Sequence, residues 1–256
     1  MASAQALRIL ALLLGLALTS SSILFIGCGD AHVTYFPAQI GQEWDMVADG
    51  TGDITHFEIV PPPTSDHTDS INIHITKTQT RAYWQNDTPG AELWWGMRQL
   101  SDRRWVADYT IANFDPPNLM RFDYLHFDSN SYMVIPPPGT PAGDYYGYSQ
   151  DTWCGGDSYC LVPWFKVMWL ARISYPVVDT PVYKGPVLLN DEYECAQPID
   201  LSEINNPLKC AHEQWYFAPN IGLVEIAPQW VAVLCDPNCP PGTPLPPLPP
   251  AIRRIN

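Results

Sequence analysis

Ile71-Asn72-Ile73-His74-Ile75-Thr76 sets three isoleucines on alternate positions, each followed by a polar residue. Successive side chains of a strand point to opposite faces, so this stretch reads as a β-strand with one dry and one wet face. The same period extends outward along the chain. Glu92 to Leu100 and Arg104 to Phe114 read as two strands joined by Ser101-Asp102-Arg103, a hairpin-sized connection. Met120 to Phe127 sets Phe122 and Tyr124 against Arg121 and Asp123. Phe165, Val167, Trp169, Ala171, Ile173 and Tyr175 share a face opposite Lys166 and Arg172, and a further strand pair covers Val182 to Leu189 and Trp215 to Pro228. No long segment keeps a helical period without an interrupting Pro, Gly or β-branched pair. Short connections and the lack of strand–helix alternation argue for antiparallel sheets. The expected fold is all-β, or β with one minor helix: an antiparallel β-sandwich or an open barrel.

Prolines mark the gaps, at Pro61-Pro62-Pro63, Pro136-Pro137-Pro138 and from Pro237 to Pro250. Proline cannot donate to a ladder, so these are loops, strand ends and edges. The last run should form a polyproline II tail outside the core, acting as a stiff spacer or docking on an aromatic groove. The expected division is a leader at 1–27, an anchor and tether at 28–33, one β domain at 34–235 and a Pro-rich tail at 236–256.

With 46% hydrophobic residues and ten tryptophans, the chain can build a substantial core. Acids outnumber bases 27 to 13, for a net charge of −14. That balance opposes binding to nucleic acid or to anionic lipid. Cys28 apart, there are six cysteines: Cys154, Cys160, Cys195, Cys210, Cys235 and Cys239. An even number suits disulfides, and sequence neighbours suggest 154–160, 195–210 and 235–239. The other use of cysteine, a metal site, lacks a C-x-x-C pair and has only His212 nearby.

Arg8, the apolar run Ile9 to Ile26 and the small residues at its end are the parts of a secretory signal. Phe25-Ile26-Gly27-Cys28 resembles the lipobox of bacterial lipoproteins, with Phe25 in place of the usual leucine. The resemblance implies that Cys28 is lipidated and becomes the new N-terminus, anchored by several acyl chains. The same resemblance implies that Gly29, rather than Asp, directly after Cys28 argues against retention at the inner membrane, hence for the outer membrane, facing the periplasm or the cell surface. Two further stretches carry a second resemblance. Thr34-Tyr35-Phe36-Pro37-Ala38-Gln39-Ile40-Gly41-Gln42-Glu43-Trp44 is similar to the opening of a group of bacterial β-rich lipoproteins, Tyr-Phe-Pro-Leu-x-x-Gly-x-x-Trp, with Ala38 replacing the leucine. Trp215-Tyr216-Phe217-Ala218-Pro219-Asn220-Ile221-Gly222-Leu223-Val224 is similar to that group's closing hairpin. Together they imply one domain and say little about function.

Catalytic motifs are thin. Asp66-His67-Thr68-Asp69 and Asp123-Tyr124-Leu125-His126-Phe127-Asp128 set carboxylates beside a histidine, as a solvated strand face also does. Neither G-x-S-x-G nor H-E-x-x-H occurs. Asp49-Gly50-Thr51-Gly52-Asp53 and Asn190-Asp191-Glu192 offer oxygen ligands for calcium, but Asp-Gly is also an ordinary hairpin turn. No metal and no cofactor is expected. The aromatic clusters are the candidate binding surface. Trp94-Trp95 puts two indoles on opposite faces of a strand, leaving one outside the core, and Trp95 is taken as a binding residue. Tyr145, Tyr146 and Tyr148 sit in a Gly-rich loop beside Trp153, where rings could stack on a glycan, grip a protein partner or cap the core. The leading expectation is a non-enzymatic outer-membrane lipoprotein, an accessory or scaffolding subunit of an envelope protein assembly. The alternative is a glycan- or small-ligand-binding lipoprotein, and a weaker one is a hydrolase with a hidden carboxylate pair.

Overall fold

The computed structural model describes residues 33–62, 69–77, 92–115, 118–126, 133–155, 159–196, 200–207, 209–230 and 250–256. Cys28, Asp66 to Thr68, Asp128, Cys235, Cys239 and the prolines from 237 to 249 lie outside these residues. The strands are β1 (Glu43–Ala48), β2 (Ile54–Val60), β3 (Ser70–Lys77), β4 (Glu92–Gln99), β5 (Trp105–Asp115), β6 (Asn118–His126), β7 (Met133–Ile135) and β8 (Gly143–Gly155). They continue as β9 (Tyr159–Ser174), β10 (Val177–Asp179), β11 (Lys184–Pro186), β12 (Leu188–Ala196), β13 (Cys210–Ala218), β14 (Gly222–Trp230) and β15 (Ile252–Arg254). The one helical piece among the described residues is a 3-10 turn, Leu201–Glu203, whose first turn is capped by Asp200.

Every ladder is antiparallel, and the order is β4-β3-β2-β1-β15-β14-β13-β12-β9-β8-β6-β5, with β4 also paired to β5. The pairings therefore run around a ring of twelve strands. This is the barrel arm of the expected fold. Ser101 to Arg103 does join β4 and β5 as a hairpin, with Arg103 at positive φ. β10 and β11 form a separate two-stranded hairpin, so the strand expected at Val182 to Leu189 is split in two.

The expected tail is corrected at its end. Residues 250–256 belong to the domain, and Thr34–Asn256 is one compact unit. β15 pairs with β1 on one side and with β14 on the other. Ile252 enters the core at 3% exposure. Arg253 bridges Asp49 and Glu225, Arg254 donates to the Ile221 carbonyl at 2.9 Å, and Asn256 pairs with Asp45. A three-residue strand after a proline run has too little period to be seen in the sequence.

The core fills the ring with alternate residues of its strands, among them Trp44, Phe57, Ile73, Trp95, Trp215 and Phe217. Thr34 and Asn220 exchange backbone and side-chain hydrogen bonds, and Phe36 meets Trp105 edge to face. The two stretches that carry the lipoprotein resemblance are thus in contact.

The opening strand departs from a simple dry and wet division. Ile73 and Ile75 are buried as expected, but Ser70 and Asn72 on the other face are buried too. The reason is Gly96, which lies opposite Asn72. The Tyr109 ring occupies the space above Gly96, where a Cβ would come within 2.4 Å of it, and the Tyr109 hydroxyl donates to Asn72 Oδ1 at 2.7 Å. Beside it, Ser70 and Arg98 both donate to Asp108.

Two stability measurements follow from these contacts. Gly96→Ala should cost about 1–3 kcal/mol in urea unfolding, since the fully buried Tyr109 ring has nowhere to go. Ile252→Ala should cost about 2–4 kcal/mol, whereas Ile255→Ala, at an exposed neighbour, should stay within about 0.5 kcal/mol.

Candidate functional site

β9, β12 and β13 pair without a register shift between them, so their alternation assigns each side chain to one face. Inward along β12 come Leu188, Asn190, Glu192 and Glu194, and inward along β13 come Phe217, Trp215, Glu213 and Ala211. Leu188, Trp215 and Phe217 belong to the apolar core. The interior thus turns from apolar to acidic along two neighbouring strands.

Asn190 marks the change. Fully buried, it donates through Nδ2 to the carbonyls of Met133 and Val134 at 3.2 and 3.0 Å. Those carbonyls belong to β7, whose three residues are all buried and which pairs with β5. β5 and β12 are not neighbours in the ring, so β7 reaches across the interior to β12. An inner strand edge must find donors, because a buried unpaired carbonyl is costly. Asn190 supplies them.

The same Nδ2 donates to Glu192 Oε2 at 3.0 Å. Glu192 is 8% exposed and lies directly opposite Glu213, which is partly exposed, as is Glu194. Burial, and then the charge of Glu213, push the Glu192 carboxyl well above the usual carboxylate range; the Asn190 hydrogen bond opposes them. Trp169 stands opposite Glu194 and gives its indole N–H to Ser149 Oγ, while Trp215 stands opposite Asn190 and packs on Trp95, with ring centroids 4.8 Å apart. Three acids therefore share the inward face of this wall, with Trp169 and Trp215 at neighbouring register positions.

The outer side of the same wall is braced separately. Met168, Leu170, Tyr193 and the Cys195–Cys210 disulfide cluster there under Ile204. Tyr193 stacks on His212 at 3.9 Å between centroids, His212 Nε2 meets Asp191 Oδ1 at 2.5 Å, and Arg172 is held by Asp144. Asp191, which the sequence sets with Asn190 and Glu192 in a turn-like run of oxygen atoms, is on a strand and faces the other way from both.

Of the expected binding residues, Trp95 is corrected: it is 5% exposed inside the barrel, and Trp94 is the outward indole, stacked on His74. Tyr145, Tyr146 and Tyr148 lie on strand β8, not in a loop. Tyr145 faces inward against Met133, Ala171 and Ile173, with its hydroxyl on the Pro141 carbonyl. Tyr146 and Tyr148 share the outer face at 39% and 45% exposure, opposite Leu170 and Met168. Trp153 is on β8, and Cys154 and Cys160 are backbone partners in the β8–β9 ladder. Cys195–Cys210 is a disulfide.

Asp49 to Asp53 forms the β1–β2 turn, with Gly50 and Gly52 at positive φ and Asp49 paired to Arg253. Among the described residues no three His, Cys, Asp or Glu side chains are placed to hold a metal ion. An open groove of about 510 Å³ on the outer face is lined by Asp49, Asp179, Tyr216, Glu225 and Arg253 among others. Its charges are spent on one another, Arg253 on Asp49 and Glu225, and Asp179 on Lys184.

Sequence reasoning names Asn190 and Glu192 only as oxygen atoms of a turn-like run and does not single out Glu213 or the inward grouping of the three. The signal was Leu188-x-Asn190-x-Glu192-x-Glu194, an alternation whose inward face becomes polar. No family model, no curated protein and no solved structure matches the chain.

A carboxyl whose pKa rises on folding binds its proton more tightly in the folded state, so its contribution to stability is full below the ordinary carboxylate range. It is lost as pH rises through the elevated value. Over that window Glu192, facing Glu213 and flanked by Glu194, should lower stability with a slope of up to about 1.4 kcal/mol per pH unit. Glu192→Gln should flatten the slope and gain stability relative to the parent above neutral pH, as read by urea unfolding at a series of pH values.

Proposed function

We propose that the protein is a small-ligand-binding lipoprotein of the bacterial envelope, anchored through Cys28, whose ligand enters the acidic end of the barrel interior. The observation that carries this reading is the inward set Asn190, Glu192 and Glu213. Asn190 answers the need of the β7 carbonyls, but a carboxyl buried beside it and facing a second acid costs free energy, of the order of several kcal/mol for a buried ionisable group, that this need does not explain. A barrel of this kind encloses ligands when its interior is not completely filled by side chains, and Glu213 and Glu194 face inward yet are partly exposed.

Exposed Tyr146 and Tyr148 favour a second reading, an accessory subunit that docks another envelope protein on the outer wall of β8. Neighbouring carboxylates with one raised pKa are also what a glycosidase-type hydrolase employs. Glu192 is instead tied to Asn190 at the apolar boundary, deep to its neighbours, which suits binding better than proton transfer to a sugar.

The test is extraction of the full-length protein from native membranes in mild detergent, followed by native mass spectrometry. The expected result is a small molecule retained at fixed ratio and released on unfolding, with no stoichiometric protein companion. A single envelope protein recovered at fixed ratio, with no small molecule, would overturn the ligand reading in favour of the docking one.

A further inference from the structure

We propose that β10 takes up an extended peptide segment of a partner protein as a third strand, with β-branched residues toward the barrel and a basic residue beside Asp179. This surface lies on the outer wall and is independent of the interior site. β10 and β11 form a second layer there, with Val178 packed on Val187, Ala218 and Val224. Their ladder fixes which backbone groups are used. The Thr180 N–H donates to the Tyr183 carbonyl at 2.8 Å and the Val187 N–H to the Pro176 carbonyl at 2.9 Å, with Val178 opposite Gly185 between them. Alternate positions of an antiparallel strand bond to the same neighbour, so Val177 and Asp179 turn their N–H and C=O groups away from β11. Among the described residues nothing pairs with those groups. The two edges of the hairpin differ. β11 ends in Pro186, which has no N–H and whose carbonyl accepts from the Tyr183 hydroxyl at 3.0 Å, the kind of block that closes an edge to further strands. On β10, Val177 and Asp179 are exposed.

The open edge borders the groove of about 510 Å³, to which β10 and its turn contribute Val178, Asp179 and Pro181. The floor is one row across four strands: Tyr216 opposite Glu225, Glu225 opposite Arg253, and Arg253 opposite Val47. The charges of that row pair with one another, so the groups left over are backbone donors and acceptors. An added strand supplies partners for two N–H and two C=O groups and turns a marginal two-stranded hairpin into a three-stranded layer. Alternation along that strand sets its chemistry. Side chains toward the barrel meet Val47, Val178 and Tyr216, which suits β-branched residues. Side chains toward solvent lie beside Val177 and Asp179. There the carboxylates of Asp49, Asp179 and Glu225 exceed the cations of Arg253 and Lys184 by one charge, in a chain of net charge −14, which suits a basic residue. A contact of this size belongs to the weak, transient class and is lost when the protein is extracted and diluted.

The probe is the peptide acetyl-Lys-Val-Thr-Val-Lys-amide, compared with acetyl-Glu-Val-Thr-Val-Glu-amide. Each is titrated into the isotope-labelled full-length protein in detergent and followed by amide NMR. The lysine peptide should bind with a Kd of about 0.1–1 mM, shift the Val177 and Asp179 amides and slow their hydrogen exchange. The glutamate peptide should bind at least about threefold more weakly. Val177→Pro removes one outward N–H while leaving the β10–β11 ladder intact, and should weaken the lysine peptide about fivefold. Asp179→Lys should abolish the preference between the peptides, and serves if the proline variant does not fold. No saturable binding, shifts confined to other strands, equal affinity for both peptides, or unchanged affinity in a folded Val177→Pro protein would overturn the assignment. Self-association abolished by Val177→Pro, read by sedimentation velocity, would give the edge to a second copy of this chain and overturn it likewise.

Discussion

A sheet escapes its edges only when its last strand finds its first, and here three residues make that junction. β15 offers few backbone pairs on either flank, to β1 and to β14. Without it, two long strands would present unpaired N–H and C=O groups, the usual route to edge-to-edge association. The short strand is held by more than its ladder. Ile252 is in the core, Arg253 is gripped by carboxylates from both neighbours, and Arg254 lies over the Trp44 ring. Closure in turn separates an inside from an outside, and the inward acids of β12 and β13 owe their burial to that separation.

Inside, a short strand and a single amide decide where the apolar core ends. β7 leaves the wall and would strand its carbonyls in an apolar medium if Asn190 did not reach them. Placing an amide at that point brings polarity into the barrel, and the acids that follow on β12 and β13 extend it toward solvent. The raised pKa of Glu192 is a consequence of the same geometry, burial first and the facing Glu213 second. The polar end of the interior is therefore built on the structural need of β7, which fixes Asn190 and through it Glu192.

Outside, the same two strands are pinned by unlike means. The disulfide joins directly opposed positions at the end of the β12–β13 ladder, and the Tyr193, His212, Asp191 group locks the pairs before it. A register slip of one residue would turn Glu192 and Glu213 outward and Tyr193 and His212 inward. The covalent link and the stacked pair exclude that slip, so the outer cluster secures the inner one.

The sequence by itself determined the local matters: strands from period-2 alternation, the hairpin at Ser101 to Arg103, antiparallel order from short connections, and Cys195–Cys210 from adjacency. These depend on residues near one another in the chain, whose spacing records their geometry. Closure of the ring, the burial of Trp95, the strand beneath Tyr145 to Tyr148 and the Glu192–Glu213 pairing were decided only by the tertiary structure. Alternation says that two faces differ but not which one is enclosed, so Trp94 and Trp95 could not be told apart. Cross-strand partners are set by register, and a proline run hides the strand beyond it. Asn190 shows the limit most directly, because its role depends on β7 arriving from the far side of the barrel, a contact between residues more than fifty positions apart.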